Sequence, residues 1–184
     1  MMGWAAIMGD LSAGAWLLGG VLYSWQMPHF LSLAYMMRKD YMDGGYRMMP
    51  GDAGSAGLQR ATAASMRHCV YLEGLCVAAP MLGLASPIFA AEATALNAVF
   101  FYLAWQFHQA GQSGNAGKTN AAARKLFLGS LVYLPALLAC MVLHRSLVKS
   151  EHGCPFLDAK SIVEEKSEQK SETNPPTASV VADQ

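Results

Sequence analysis

Asp40 and Asp43 lie three residues apart, among the cations Arg38, Lys39 and Arg47. Two carboxylates at that spacing share one face of a helix. Such a pair can hold a magnesium ion whose other ligands are phosphate oxygens and water. Neighbouring cations would neutralise the rest of a diphosphate, and a diphosphate stabilised in this way leaves more easily. Arg124 and Lys125 supply a second basic pair far along the chain. Before the cluster come 27 residues, Leu11 to Met37, with no acidic or basic side chain apart from a neutral His29. An apolar segment that ends in mixed cations and carboxylates suits a ligand greasy at one end and phosphorylated at the other, the shape of a polyprenyl diphosphate. The same residues also suit an interfacial charge belt that only fixes helix ends.

A second polar feature lies deeper. Gln26, His29, Leu33, Met36 and Asp40 recur at intervals of three or four, which places them on one helical stripe. His29 precedes Asp40 by eleven residues, about 16 Å along a helix axis. A polar ring at that depth faces a cavity or a partner helix. Two readings stand: a structural histidine bonded to a neighbouring carbonyl, and a histidine that meets a substrate. Glu73 also sits in an apolar run and needs Arg67 or a hydroxyl as its partner. Trp105-Gln-Phe-His108 echoes Trp25-Gln-Met-Pro-His29, but one short echo arises easily by chance. Cys154-Pro155 beside His152 matches short heme-responsive dipeptides, which are common. The four cysteines, Cys69, Cys76, Cys140 and Cys154, show no metal-ligand spacing. Those in apolar stretches read as small core residues.

These groups must be positioned by apolar helices. The chain of 184 residues is 53% apolar and 14% charged, against about 25% charged in soluble domains. Much of that charge lies beyond Lys149, so the body is membrane-like, with a soluble helical bundle as the competing class. Net charge is zero, which gives no argument for nucleic acid. Four spans are expected: Leu11 to Met37, Arg67 to Gly83, Pro87 to Gln109 and Leu126 to His144. Each approaches the roughly 20 apolar residues a bilayer requires, and in lipid each must be helical. Pro28 and Pro135 are expected to kink their helices. A polar, glycine-rich link is expected over Arg38 to Met66, a tight turn over Leu84 to Ser86, and a loop over Ala110 to Lys125. The first and third links carry most of the basic residues and so face the cytosol or a mitochondrial matrix. Arg145 and Lys149 oppose that orientation. No cleavable signal or transit peptide is visible. The expected organisation is a helical membrane domain over 1–148 and a disordered polar tail over 149–184.

Met2-Gly-Trp4, Tyr23-Ser-Trp-Gln-Met-Pro-His-Phe30, Arg38-Lys-Asp-Tyr41, Gly44-Gly-Tyr-Arg-Met-Met49 and Arg124-Lys-Leu-Phe127 resemble the membrane-embedded UbiA-like prenyltransferases. Within them they resemble the protoheme IX farnesyltransferase, or heme O synthase, branch in its mitochondrial form. The likeness covers about Met2 to Leu147. It implies an all-helical polytopic fold corresponding to the second half of a nine-helix bundle. It also implies transfer of a farnesyl group from farnesyl diphosphate to a vinyl group of heme b, giving heme O, in the mitochondrial inner membrane.

By the same resemblance Asp40 and Asp43 are the catalytic, magnesium-holding carboxylates. Arg38, Lys39, Arg47, Arg124 and Lys125 bind diphosphate. Trp25, Gln26, His29 and Tyr41 line the heme and isoprenoid side, with His29 a candidate heme ligand. The implied partners are the lipid bilayer, heme b and farnesyl diphosphate, together with an N-terminal half or other heme A pathway proteins. The family's first aspartate motif has no match in the chain, and Met1 to Gly9 resemble the stretch between the fifth and sixth helices. A truncated form is therefore expected, with a non-catalytic heme-binding or assembly fragment as the alternative.

Overall fold

Small residues decide how this chain packs. The computed structural model describes residues 11–52 and 54–144, with positions 2, 6 and 9. Those residues form helices and connections with no strand among them. Helix α1 spans Ala13–Met36, α2 Arg38–Asp43, α3 Met49–Asp52, α4 Gly54–Met81, α5 Pro87–Gln112 and α6 Ala116–Leu143. The shortest of the four long helices has 24 residues, about 36 Å, against a hydrocarbon core of about 30 Å. By length and composition α5 and α6 qualify as membrane spans. Glycine, serine and other polar residues dilute α1 and α4 below that mark while leaving them long enough.

Helix α1 packs on α4 and α6, and α5 packs on the same two, so the four close a ring in the order α1, α4, α5, α6. The interior of the ring is apolar around Phe89, Phe100, Phe107, Leu72, Leu126 and Leu137, with polar residues set among them. Ser24, Ser32, Thr62, Ser65, Asn97, Thr119 and Ser130 are buried, while Trp16, Val70, Val99, Val132 and Val142 are exposed. Small and hydrogen-bonding residues between the helices, with large apolar ones also left on the outer surface, fit helices packed in lipid. Close approach is built in. A Cβ on Gly129 would lie 2.6 Å from Leu103 Cδ1 across the α5–α6 contact.

Three boundaries differ from the sequence expectation. Helix α4 starts at Gly54 rather than Arg67, because the supposed polar link is half helix. Its Gly57, Ala61, Ala64 and Ser65 are buried, and small side chains pack there where a hydropathy pattern shows little. Helix α6 starts at Ala116 rather than Leu126, capped by Asn115, whose side chain accepts from the Lys118 amide at 3.1 Å. Only Ser113 to Asn115 remain as loop. Pro28 and Pro135 lie inside α1 and α6 without ending them, as membrane helices allow.

The turn at the opposite end is a Schellman motif. The Gly83 amide bonds Pro80 O, the Leu84 amide bonds Ala79 O, and Gly83 has φ 70°, a conformation suited to glycine. The Ser86 amide bonds His144 O at 2.9 Å, and His144 Nε2 lies 3.0 Å from Glu92 Oε2. That end is thus closed. The expected tail over 149–184, with Trp4, Arg145, Lys149, His152 and Cys154, lies outside the described residues.

Candidate functional site

The open end of the bundle gathers the charged residues. Helix α1 ends at Met36, and α2 restarts at Arg38 after a single residue, Met37. The short helix carries Arg38, Lys39, Asp40, Tyr41 and Asp43. It ends in a second Schellman turn, with the Gly45 amide on Met42 O, the Tyr46 amide on Tyr41 O, and Gly45 at φ 78°. That turn fixes where Arg47 emerges. A recess of about 320 Å³ lined by Met42, Gly45, Tyr46, Arg47 and Met48 forms around it.

Asp40 and Asp43 are both exposed. Neither carboxylate has a hydrogen-bond or ion-pair partner among the described residues. No group of three or more metal-ligating side chains forms among those residues. The two carboxylates therefore offer an open pair and not a closed metal cage. That donor set fits magnesium bound chiefly through a substrate's phosphate oxygens.

Arg38 ties this mouth to α6. Its Nη1 donates to Tyr35 O at 2.8 Å and contacts Asn120 Oδ1 at 3.4 Å. Its guanidinium carbon stands 4.3 Å over the Tyr35 ring. Arg124 lies one turn deeper than Asn120 on the same stripe of α6. Arg124 and Lys125 are exposed there.

Further along the same seam lies a stack of three rings. Trp25 and His29 stack at 4.8 Å, and His29 and Phe127 at 4.9 Å. Trp25 Nε1 donates to Ser130 O at 2.9 Å, and His29 Nδ1 lies 2.7 Å from Ser130 Oγ. Ser130 Oγ donates to Phe127 O at 2.6 Å. The α1–α6 seam thus runs from Arg38–Asn120 at the mouth to His29–Phe127–Ser130 in the depth of the bundle.

The remaining expected site residues divide. Gln26 is exposed, one turn from His29, and takes no part in the ring stack. Tyr41 sits at the mouth, edge-on to Tyr46 at 6.5 Å, and is not part of the ring stack. His108, the echo of His29, has both ring nitrogens engaged, by Thr62 Oγ1 and Gln112 Nε2, each at 2.9 Å. The echo in sequence is no echo in environment.

Glu73 takes its bonds from Thr94 and Asn97, both at 2.7 Å. A hydroxyl was expected, and Arg67 was the other expectation. Tyr133 donates in turn to Asn97 Oδ1. Asn120, Ser130, Asn97 and Tyr133 were not legible as site or network residues. Each is a lone polar residue in a helix, and only the packing of a second helix gives it a partner.

Comparison with known proteins adds to this geometry. A family model described as the UbiA prenyltransferase family matches residues 1–131. The human "Protoheme IX farnesyltransferase, mitochondrial" is 42% identical over 142 residues, covering 77% of this chain and 30% of that protein. The Arabidopsis thaliana protein of the same name is 36% identical over 145 residues, covering 79% of this chain and 32% of its own length. "Protoheme IX farnesyltransferase" of Brucella anthropi is 31% identical over 150 residues, 82% of this chain and 46% of that protein. The chain thus spans a third to a half of the length of these curated relatives. No solved structure matches.

Proposed function

The chain belongs to the UbiA prenyltransferase family, and from that premise we propose that it takes part in moving the farnesyl group of farnesyl diphosphate onto a vinyl group of heme b, giving heme O. The observation that carries the reading is the α1–α6 seam, which joins a charged mouth to a deep aromatic and imidazole site. A prenyl diphosphate needs the first and a porphyrin suits the second. The relatives' printed names support the same pair of substrates.

In this reading the C–O bond between farnesyl and diphosphate breaks, and its electron pair leaves with the diphosphate. The vinyl π pair then forms the new C–C bond to the allylic carbon, and the cation left on the porphyrin-bound vinyl carbon takes the oxygen of a water, which loses a proton, so that a hydroxyethylfarnesyl group results. Asp40 and Asp43 would hold magnesium at the diphosphate. When bound, the metal supplies charge stabilisation for the leaving group. Arg38, Lys39 and Arg47 from α2 and its turn, with Arg124 and Lys125 from α6, neutralise the remaining phosphate charge. Trp25 and Phe127 hold the His29 ring between them on the porphyrin side. Gln26 and Tyr41 border the isoprenoid path. The location in this reading is the inner mitochondrial membrane, and the relatives' names support the organelle.

Expression of the 184-residue chain in cells that lack heme O tests the reading. The expected result is heme O among the extracted hemes resolved by chromatography. Bound heme without any heme O would favour the alternative, a heme-binding or assembly role. In any chain that restores heme O, Asp40→Ala is expected to remove it, and an unchanged yield would overturn the assignment of the mouth.

A further inference from the structure

We infer that His29 is the axial ligand of the porphyrin iron, with its Nε2 prepared for that bond by Ser130. The inference rests on heme b as the porphyrin substrate of the site.

Ser130 Oγ has one proton, and it donates that proton to Phe127 O at 2.6 Å. With its proton directed to Phe127 O, Ser130 Oγ accepts at the 2.7 Å contact with His29 Nδ1. Neutral imidazole carries one N–H. With that N–H on Nδ1, the lone pair sits on Nε2. Nε2 has no hydrogen-bond partner, and it is not among the buried unpartnered atoms, so it stands open. Histidines that bind metals characteristically donate their other ring N–H to an acceptor, which fixes tautomer and orientation. Trp25 and Phe127 cover the two ring faces, which leaves the Nε2 edge as the reactive one. His108 has both nitrogens occupied and offers no such edge.

Depth agrees with this role. His29 lies seven residues before the end of α1 at Met36, about 10 Å along that helix axis, and Asp40 lies beyond that end in α2. That is too far for His29 to reach the carbon beside a diphosphate held at the mouth. A porphyrin whose vinyl group meets that carbon has its iron half a macrocycle deeper, on the side of His29. Ser130 is then a positioning residue, acting on iron through the imidazole. The site would also distinguish iron porphyrin from metal-free porphyrin.

Titration of the full 184-residue chain in lipid nanodiscs with ferric heme b, and separately with metal-free protoporphyrin, tests this. Wild type is expected to give the shifted Soret band of nitrogen-ligated iron. His29→Ala loses that shift and binds ferric heme about ten-fold or more weakly, as loss of a ligand's own partner already can. Its affinity for metal-free protoporphyrin is unchanged. Added imidazole restores the shift in His29→Ala, which an unfolded variant could not do. Ser130→Ala keeps heme bound but shows a weakened iron bond in the same band. An unaltered Soret shift in His29→Ala would overturn the inference and leave the porphyrin reading intact. Failure of wild type to bind either porphyrin would remove both.

Discussion

Arg38 links the end of α1 to α6, and its chemistry sets the first prediction. It stacks on Tyr35, bonds that residue's carbonyl and reaches Asn120. Lysine keeps the charge but loses the planar fork and the stacking. Arg38→Lys is therefore expected to raise KM for farnesyl diphosphate several-fold with little change in kcat. A fall in kcat at constant KM would instead assign Arg38 to the transition state. Tyr133 makes a second prediction. Its hydroxyl donates to Asn97, which in turn serves Glu73. Tyr133→Phe leaves a buried acceptor unpaired and should cost about 1–3 kcal/mol, read as a lower thermal midpoint in detergent. At this scale the sequence showed the charged mouth, because Arg38, Lys39, Asp40 and Asp43 are neighbours in the chain. It did not show Ser130 or Asn97, whose partners are 101 and 24 residues away.

Between elements, a close approach is built on Gly129 against Leu103, where an added Cβ would stand 2.6 Å from Cδ1. Gly129→Ala should destabilise by about 1–3 kcal/mol through overpacking. Leu103→Ala in the same chain should return part of that loss, and a double-mutant cycle measures the coupling. Additive effects would show that the helices relax apart instead. The ends of α4 and α6 were misread for one physical reason. Their first turns are rich in alanine, glycine, serine and threonine, which bury well against another helix but carry little hydropathy signal. Gly57, Ala61, Thr119 and Ala122 are all buried. The prolines lie inside their helices as expected, since α1 and α6 continue through Pro28 and Pro135.

For the molecule as a whole, four antiparallel long helices put the α1–α4 connection and the α5–α6 loop at one end. The α4–α5 turn lies at the other. In a chain whose native cysteines are replaced by alanine, single cysteines at Tyr46 and Ser113 should react with an impermeant thiol reagent from the same side. A cysteine at Leu82 should react from the opposite side. All three are exposed, so a shared side for all three would exclude the four-crossing arrangement. The side carrying Tyr46 and Ser113 is expected to be the matrix or cytosolic one, because the basic residues gather there.

The sequence alone determined that this is an apolar helical chain with a carboxylate pair among cations at the end of its first long helix. Local composition and spacing suffice for that, since neighbouring residues on one helix face need no tertiary contact to be found together. It also showed the pattern shared with the UbiA prenyltransferases, which the family match over residues 1–131 supports. Only the tertiary structure decided which helices close the ring, how α6 reaches the mouth through Asn120, and which nitrogen of His29 is left open. Those outcomes depend on side chains that meet across about a hundred residues of chain, and a buried hydroxyl acquires its donor or acceptor role only when a second helix arrives beside it.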